Sequence, residues 1–264
     1  MKISVKRQEK WTQTDALWSA LSLDEMMQDN RKKPVTLSFV GGGGKTSYIR
    51  RLAWEGRERG YRMLVMTTTH MAAPEHFGVL EPDLEKVRAM LEENFIAVAG
   101  RPAKDGKIAF WDKDFYKKAS TLADVVLIEA DGSKRLPVKV PGPNEPVIPE
   151  DTDMILCIYG LRALGKQAEV CCFRLSQAEQ LLDLKEEEKT GSWIMTAEKM
   201  ARLMAGGYVA PLRKAFPGCQ VLVALNQADT EEMEEKGKNI LQIIKEEQGI
   251  LTGKLYEESS FSLF

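Results

Sequence analysis

Gly41-Gly42-Gly43-Gly44-Lys45-Thr46-Ser47 is the stretch of this sequence with the clearest chemical content. A backbone that wraps a phosphate group must turn successive N–H groups inward and take positive φ at several positions. Glycine does this with little strain and lets the main chain approach the oxygens. The stretch runs from an apolar segment, Val35 to Val40, straight into an amphipathic helical pattern starting at Lys45. The free amides and positive dipole end of that helix would face the same anion. In G-x-x-x-x-G-K-[ST] loops the lysine reaches the β- and γ-phosphates and the hydroxyl ligates Mg²⁺. Lys45 and Thr46 are the matching residues. Phe39 stands where the full pattern has its first glycine, so the loop is shortened. A flexible glycine linker is the competing explanation, but linkers do not join a buried strand to an amphipathic helix.

A second chemical element is Val125-Val126-Leu127-Ile128 ending in Glu129-Ala130-Asp131. Parallel α/β sheets gather ligands at the carboxyl ends of their strands, which puts these acids on the edge that carries the glycine loop. On a continuing strand Glu129 and Asp131 share one face. Glu129 is then placed to hold Mg²⁺ with Thr46, and Asp131 to orient an attacking water. Asp131-Gly132 also reads as a plain turn. Thr67-Thr68-Thr69-His70 closes another strand at this edge, and the Thr69 hydroxyl is a candidate contact for a γ-phosphate. Threonine is also favoured in strands for packing. Lys134 and Arg135 either counter phosphate charge or line a solvated loop. Asn226-Gln227-Ala228-Asp229 follows an apolar strand and is close to the N-K-x-D that reads guanine in GTPases, with Gln227 for the lysine. Alternatively, Asp229 or Thr230 caps the next helix. His70 and His76 have no partner at metal-ligand spacing. Cys157, Cys171, Cys172 and Cys219 form no C-x-x-C pair and read as free thiols of a reducing compartment.

The elements that must position these residues alternate. Strands are expected at 35–40, 62–66, 95–99, 125–128, 154–159 and 221–225, and helices at 45–59, 83–92, 112–121 and 231–248. Pro137 to Pro149, with five prolines, reads as an extended surface loop. The expected architecture is a three-layer α/β domain of the P-loop NTPase type with a mainly parallel sheet. It spans 35–264, with 161–215 as a candidate helical insertion and 1–34 as a short N-terminal helical extension. Asn30 to Pro34 is a polar breaker between them.

The chain has 264 residues, 44% of them hydrophobic and 29% charged, with a formal net charge of −2. Such a chain builds a real core and has no overall pull toward nucleic acid or an anionic membrane. The first residues lack an apolar signal segment, and no apolar run reaches membrane-spanning length. A cytoplasmic protein is expected.

Phe39 to Thr46, Thr67 to His70, Glu129 to Pro137 and Glu145-Pro146-Val147-Ile148-Pro149 together resemble the YqeC-like family, described as selenium-dependent hydroxylase accessory proteins. The resemblance runs from about Val35 to Asp229. The chain departs from it at Val140 to Asn144, where the family more often has Ala-Pro-Ala-Glu-His, and at Gln227. The resemblance implies a part in maturing selenium-dependent molybdenum hydroxylases, with such an enzyme or its cofactor-maturation proteins as partners. The residues themselves point to a nucleotide, ATP or GTP, with Mg²⁺. Gly41, Gly42, Gly43, Gly44, Lys45, Thr46, Ser47, Thr69, Asn226 and Asp229 are the candidate nucleotide contacts. Lys45, Glu129 and Asp131 are the candidate catalytic groups, and Thr46 and Glu129 the metal ligands. A hydrolase is the leading expectation. A phosphoryl or nucleotidyl transferase acting on a cofactor precursor, or a nucleotide-gated binding module without turnover, uses the same cradle.

Overall fold

The computed structural model describes residues 2–28, 33–186, 189 and 192–255. Ten strands of these residues form one sheet: β1 (Ile3–Arg7), β2 (Lys10–Thr14), β3 (Val35–Gly41), β4 (Met63–Thr67), β5 (Gly78–Val79), β6 (Ile96–Ala99), β7 (Val125–Glu129), β8 (Met154–Gly160), β9 (Gln220–Asn226) and β10 (Gln248–Thr252). Their order across the sheet is β2-β1-β10-β9-β8-β3-β7-β4-β6-β5. From β10 to β5 neighbouring strands are parallel. Only β1 and β2 run against their neighbours.

The central strands β3, β4, β7 and β8 are buried along their whole length. That is why β4, β7 and β8 read as mainly apolar runs, while β3 also buries Thr36 and Ser38, since a parallel sheet is covered on both faces. On one face Leu37 and Phe39 share a core with Tyr48, Ile49 and Leu52 of the Lys45–Glu58 helix. On the other, Val40, Ile128 and Cys157 pack with Met200, Leu203 and Tyr208. The region 161–215, expected to be mostly helical, is so, and it forms part of this second layer. Its helices include Leu175–Leu181, Ala197–Met204 and Ala210–Ala215, with a π-helical turn at Ala205–Val209.

The N-terminal segment corrects the expectation of a helical extension. Residues 3–14 form a β-hairpin that extends the sheet beside β10, with Ile3 opposite Thr252 and Val5 opposite Ile250. Ile3 and Val5 are buried, and so is Ser4 between them, so the start of this strand is covered on both faces. Helix is confined to Leu17–Ala20 and Leu23–Gln28. The first of these is held by Glu55, whose carboxylate accepts from the Leu17 and Trp18 amides at 3.0 and 2.6 Å. Of the expected breaker, Asn30 to Lys32 lie outside the described residues. At the other end the last helix stops at Ile244, with Lys245 in the left-handed region at φ 60°. Gln248 belongs to β10 rather than to that helix.

Pro137 to Pro149 is not a surface loop throughout. Val138–Lys139 pairs with Cys172–Phe173 as a small parallel ribbon, and Val138 and Lys139 are fully buried. Among the described residues, no helix is long and apolar enough to cross a membrane.

Candidate functional site

The strand registers bring the expected residues to one edge. Glu129 lies level with Phe39 on one side and Thr67 on the other. Gly41 lies level with Ile158, Gly160 with Asn226, and Asn226 with Thr252. The glycine loop therefore leaves the middle of the sheet, between the ends of β7 and β8.

Within the loop the glycines are needed for two separate reasons. Gly43 has φ +73°, and a Cβ there would stand 2.2 Å from the Gly160 nitrogen. Gly44 has φ +135° and caps the Lys45–Glu58 helix without a side chain, so the amides that open the helix are not covered by one. Ser47 lies in the first turn, its amide donating to the Gly44 carbonyl at 3.0 Å.

Thr46 and Glu129 meet. The Thr46 hydroxyl donates to Glu129 Oε2 at 3.1 Å. Glu129 is nearly fully buried, and burial pushes its carboxyl up from the ordinary value, against the opposing pull of Lys45 and of the Thr46 hydroxyl. Two hard oxygen donors side by side, one of them an acid, suit a small divalent cation that keeps water and phosphate oxygens in its shell. Among the described residues, no group of three or more His, Cys, Asp or Glu side chains is arranged to hold a metal.

Asp131, the acid expected to orient water, is tied to the loop. It is fully buried, and its carboxylate accepts from the Gly41 amide at 3.1 and 3.2 Å. Lys45 Nζ stands 3.2 Å and Lys139 Nζ 3.1 Å away, and the Tyr208 hydroxyl donates to it at 2.6 Å. Both oxygens are engaged, so the carboxylate clasps the start of the loop and the foot of Lys45. Lys45 Nζ also donates to the Gly41 carbonyl at 2.7 Å.

Asn226 likewise holds the loop. Its side-chain amide donates to the Gly43 carbonyl at 2.8 Å, and its oxygen accepts from the Gln227 amide and the Thr252 hydroxyl. Asp229 sits further out and accepts from Arg162 at 2.8 Å. Of the two candidate caps for the Glu231–Ile244 helix, Thr230 is the one that serves. In the threonine run, the Thr67 hydroxyl donates to the Glu129 carbonyl and that of Thr68 to the Val147 carbonyl. The Thr69 hydroxyl oxygen is buried with no hydrogen-bond partner among the described residues.

Four further residues complete the cluster. Lys139 also pairs with Glu145, which pairs with Arg174 at 2.5 Å. An ionic chain thus runs from Lys45 through Asp131, Lys139 and Glu145 to Arg174, with Tyr208 joining it from the π-helical turn. One sequence signal hints at Lys139, a lysine between two valines in a proline-rich run. Tyr208 carries no such signal. Burial alone would raise the Glu145 carboxyl, but Arg174 and Lys139 outweigh it and hold it at about 2, against an ordinary 4.5. A carboxyl lowered on folding stabilises the fold above its unfolded pKa and loses that contribution as pH falls through the folded one. The stability difference between wild type and Glu145→Gln, followed by denaturant melts, is therefore expected to be full above about pH 4.5 and to shrink toward pH 2. A difference independent of pH over that window would contradict the ionic chain.

Comparison with known proteins places the chain. Residues 37–176 match the family model described as YqeC protein. The Escherichia coli K12 protein YqeC is 32% identical over 172 residues, which cover 63% of this chain and 65% of that protein. The match thus spans just under two thirds of the relative's length. Among solved structures, the signal recognition particle receptor FtsY from Elizabethkingia anophelis gives a TM-score of 0.26 at 14% identity, covering 89% of this chain and 57% of that one. FtsY from Mycoplasma mycoides gives 0.26 at 14%, covering 85% and 57%. Likenesses that loose carry no weight for the site. The family match takes in more than half of the chain, including the glycine loop, Glu129, Asp131 and the Lys139 ribbon, and on that ground the chain belongs to the YqeC family.

Proposed function

We propose that this protein binds a nucleoside triphosphate with Mg²⁺ on the glycine loop and hydrolyses it, as an accessory factor in the maturation of selenium-dependent molybdenum hydroxylases. The observation that carries the nucleotide reading is the Thr46–Glu129 contact of 3.1 Å beside a helix that opens on glycine. The amides around Gly44, Lys45 and Thr46 would cradle the phosphates, and Lys45 would exchange its hold on Gly41 and Asp131 for phosphate oxygens. Thr46 and Glu129 would hold Mg²⁺, which neutralises charge on the phosphates when bound. In the reaction a water oxygen bonds to the γ-phosphorus as the bond to the bridging oxygen breaks. The electron pair stays with the diphosphate, and the water's proton passes to phosphate or solvent. Positioning and charge stabilisation suffice for such a transfer. Thr69, half-buried and with its hydroxyl oxygen buried and unpartnered among the described residues, is the candidate to orient that water.

The maturation role draws on family membership. Hydrolysis would rearrange the segments after Thr69 and Asp131 and so change contact with a client enzyme. Selenium content and activity of a molybdenum hydroxylase, produced with and without this protein, test that part.

The nucleotide reading is tested by titrating the protein with ATP, GTP and CTP, with and without Mg²⁺. Saturable binding of at least one triphosphate, tightened by Mg²⁺ and no longer so in Glu129→Gln, is the expected result. A GTP preference lost in Asp229→Ala would assign guanine recognition to Asp229. Failure of all three nucleotides to bind with Mg²⁺ present would overturn the proposal.

A further inference from the structure

The chain that follows β7 crosses directly over the glycine loop. Gly43 donates its amide to the Leu136 carbonyl at 3.2 Å, and Gly160, at the end of β8, donates to the Pro137 carbonyl at 2.8 Å. A turn closed by the Leu136 amide on the Ser133 carbonyl, at 3.0 Å, leads into this crossing. Inside the turn Lys134 and Arg135 have φ of +50° and +64°. Residues with a Cβ are disfavoured in that left-handed region, and such outliers collect at functional sites.

The cations around the loop differ in what they meet. Lys45 is held by Gly41 and Asp131, Lys139 by Asp131 and Glu145, and Arg174 by Glu145. Lys134 Nζ lies over the Phe173 ring, 4.9 Å from its centroid. Arg135 is exposed, and its guanidinium has no hydrogen bond or ion pair among the described residues. Yet it is bonded directly to Leu136, whose carbonyl rests on Gly43. Consecutive Cα atoms are about 3.8 Å apart, so a phosphate on the loop lies within the sweep of an arginine side chain starting there.

We propose that Arg135 is a catalytic residue, a charge-stabilising arginine supplied in cis for phosphoryl transfer. The inference rests on the nucleotide site proposed above. As the γ-phosphorus separates from the bridging oxygen, negative charge grows on that oxygen and stays on the γ-oxygens. A planar guanidinium with several donors matches both positions at once. The hydrogen bonds of Gly43 and Gly160 to the crossing fix the turn, so Arg135 is carried by the phosphate loop itself rather than by a separate mobile segment.

The test compares wild type, Arg135→Ala and Arg135→Lys, using the nucleoside diphosphate whose triphosphate binds best. Each protein is titrated with that diphosphate and Mg²⁺, with and without fluoroaluminate, which stands in for the transferring phosphoryl group. Steady-state phosphate release is measured in parallel. Arg135→Ala is expected to bind the diphosphate within about threefold of wild type. It should lose about 100-fold or more of the affinity gained with fluoroaluminate, and turnover should fall about 10³-fold. Arg135→Lys should recover little, and free guanidinium should restore part of the rate to Arg135→Ala alone. A purely structural role would give no such split between diphosphate and transition-state mimic. If wild type shows the fluoroaluminate gain and Arg135→Ala keeps it, Arg135 has no such role and the nucleotide site stands. If wild type binds the diphosphate with no gain, the inference also falls. If wild type binds no nucleotide, both proposals fall together.

Discussion

Replacing Lys45 with alanine is expected to remove nucleotide binding while leaving the protein folded. The ammonium is nearly fully buried, and among the described residues its hydrogen-bond and ion-pair partners are the Gly41 carbonyl and Asp131. It is thus set at the base of the loop, where the phosphates would come within its reach. Truncating one partner of a buried, hydrogen-bonded charge pair loses about 2–5 kcal/mol or more. At about 1.4 kcal/mol per decade, a mid-range loss weakens affinity by roughly 300-fold. The fold should survive because Asp131 keeps Lys139, Tyr208 and the Gly41 amide. Calorimetric titration with Mg²⁺ and the preferred triphosphate, beside a thermal melt, separates the two effects. Unchanged affinity in a folded Lys45→Ala protein would remove the lysine from the site.

Lys139→Met is expected to have the opposite profile, with a large loss of stability. Lys139 is fully buried and is the link between Asp131 and Glu145. Replacing the lysine alone leaves Asp131 with Lys45, and Glu145 with Arg174, as the one cationic partner of each among the described residues. Breaking a buried pair from one side is destabilising by about 3–5 kcal/mol. For a domain of this size each kcal/mol moves the melting temperature by roughly 2–4 °C, so a fall on the order of 10 °C is expected. Nucleotide affinity should drop less than in Lys45→Ala, since Lys139 acts on the loop through Asp131. Combining Lys139→Met with Asp131→Asn should destabilise by less than the two changes summed, because the uncompensated charge goes too. Strict additivity in that cycle would mean the two residues do not interact.

The contrast between these lysines shows what can be read along a chain and what cannot. The glycine loop and its helix are local. Gly41 to Ser47 show their chemistry in seven consecutive residues, and Lys45 belongs to that run. Strands β3, β4, β7, β8 and β9 are legible because a parallel strand buried on both faces is a short, mainly apolar run, broken in β3 only by Thr36 and Ser38. Once those strands are parallel, their carboxyl ends must share an edge, and Glu129 falls beside Thr46. Asp131 is legible as an acid of this edge, but its ties to the loop are not. Its partners Lys139 and Tyr208 come from a ribbon and a π-helical turn that adjoin β7 only in three dimensions. Pro137 to Pro149 reads as surface because five of its thirteen residues are proline, whereas Val138 and Lys139 are buried by pairing with Cys172–Phe173. The same holds for the N-terminal hairpin. Ile3 and Val5 are too few to declare a strand, and the β10 edge that pairs with them lies more than two hundred residues away in the chain. Asn226 reads as a base contact, and its side-chain amide is engaged by the Gly43 carbonyl, a contact set by the β8–β9 register.

The proposed function depends on the main chain from Gly44 to Thr46 acting as an anion cradle with a divalent cation beside Glu129. A crystal structure with Mg²⁺ and a non-hydrolysable triphosphate tests it most directly. The predicted result has phosphate oxygens on those amides, Lys45 Nζ moved onto the phosphates, and the cation against the Thr46 hydroxyl. A well-ordered analogue bound anywhere else, with Lys45 still on Gly41 and Asp131, would contradict it.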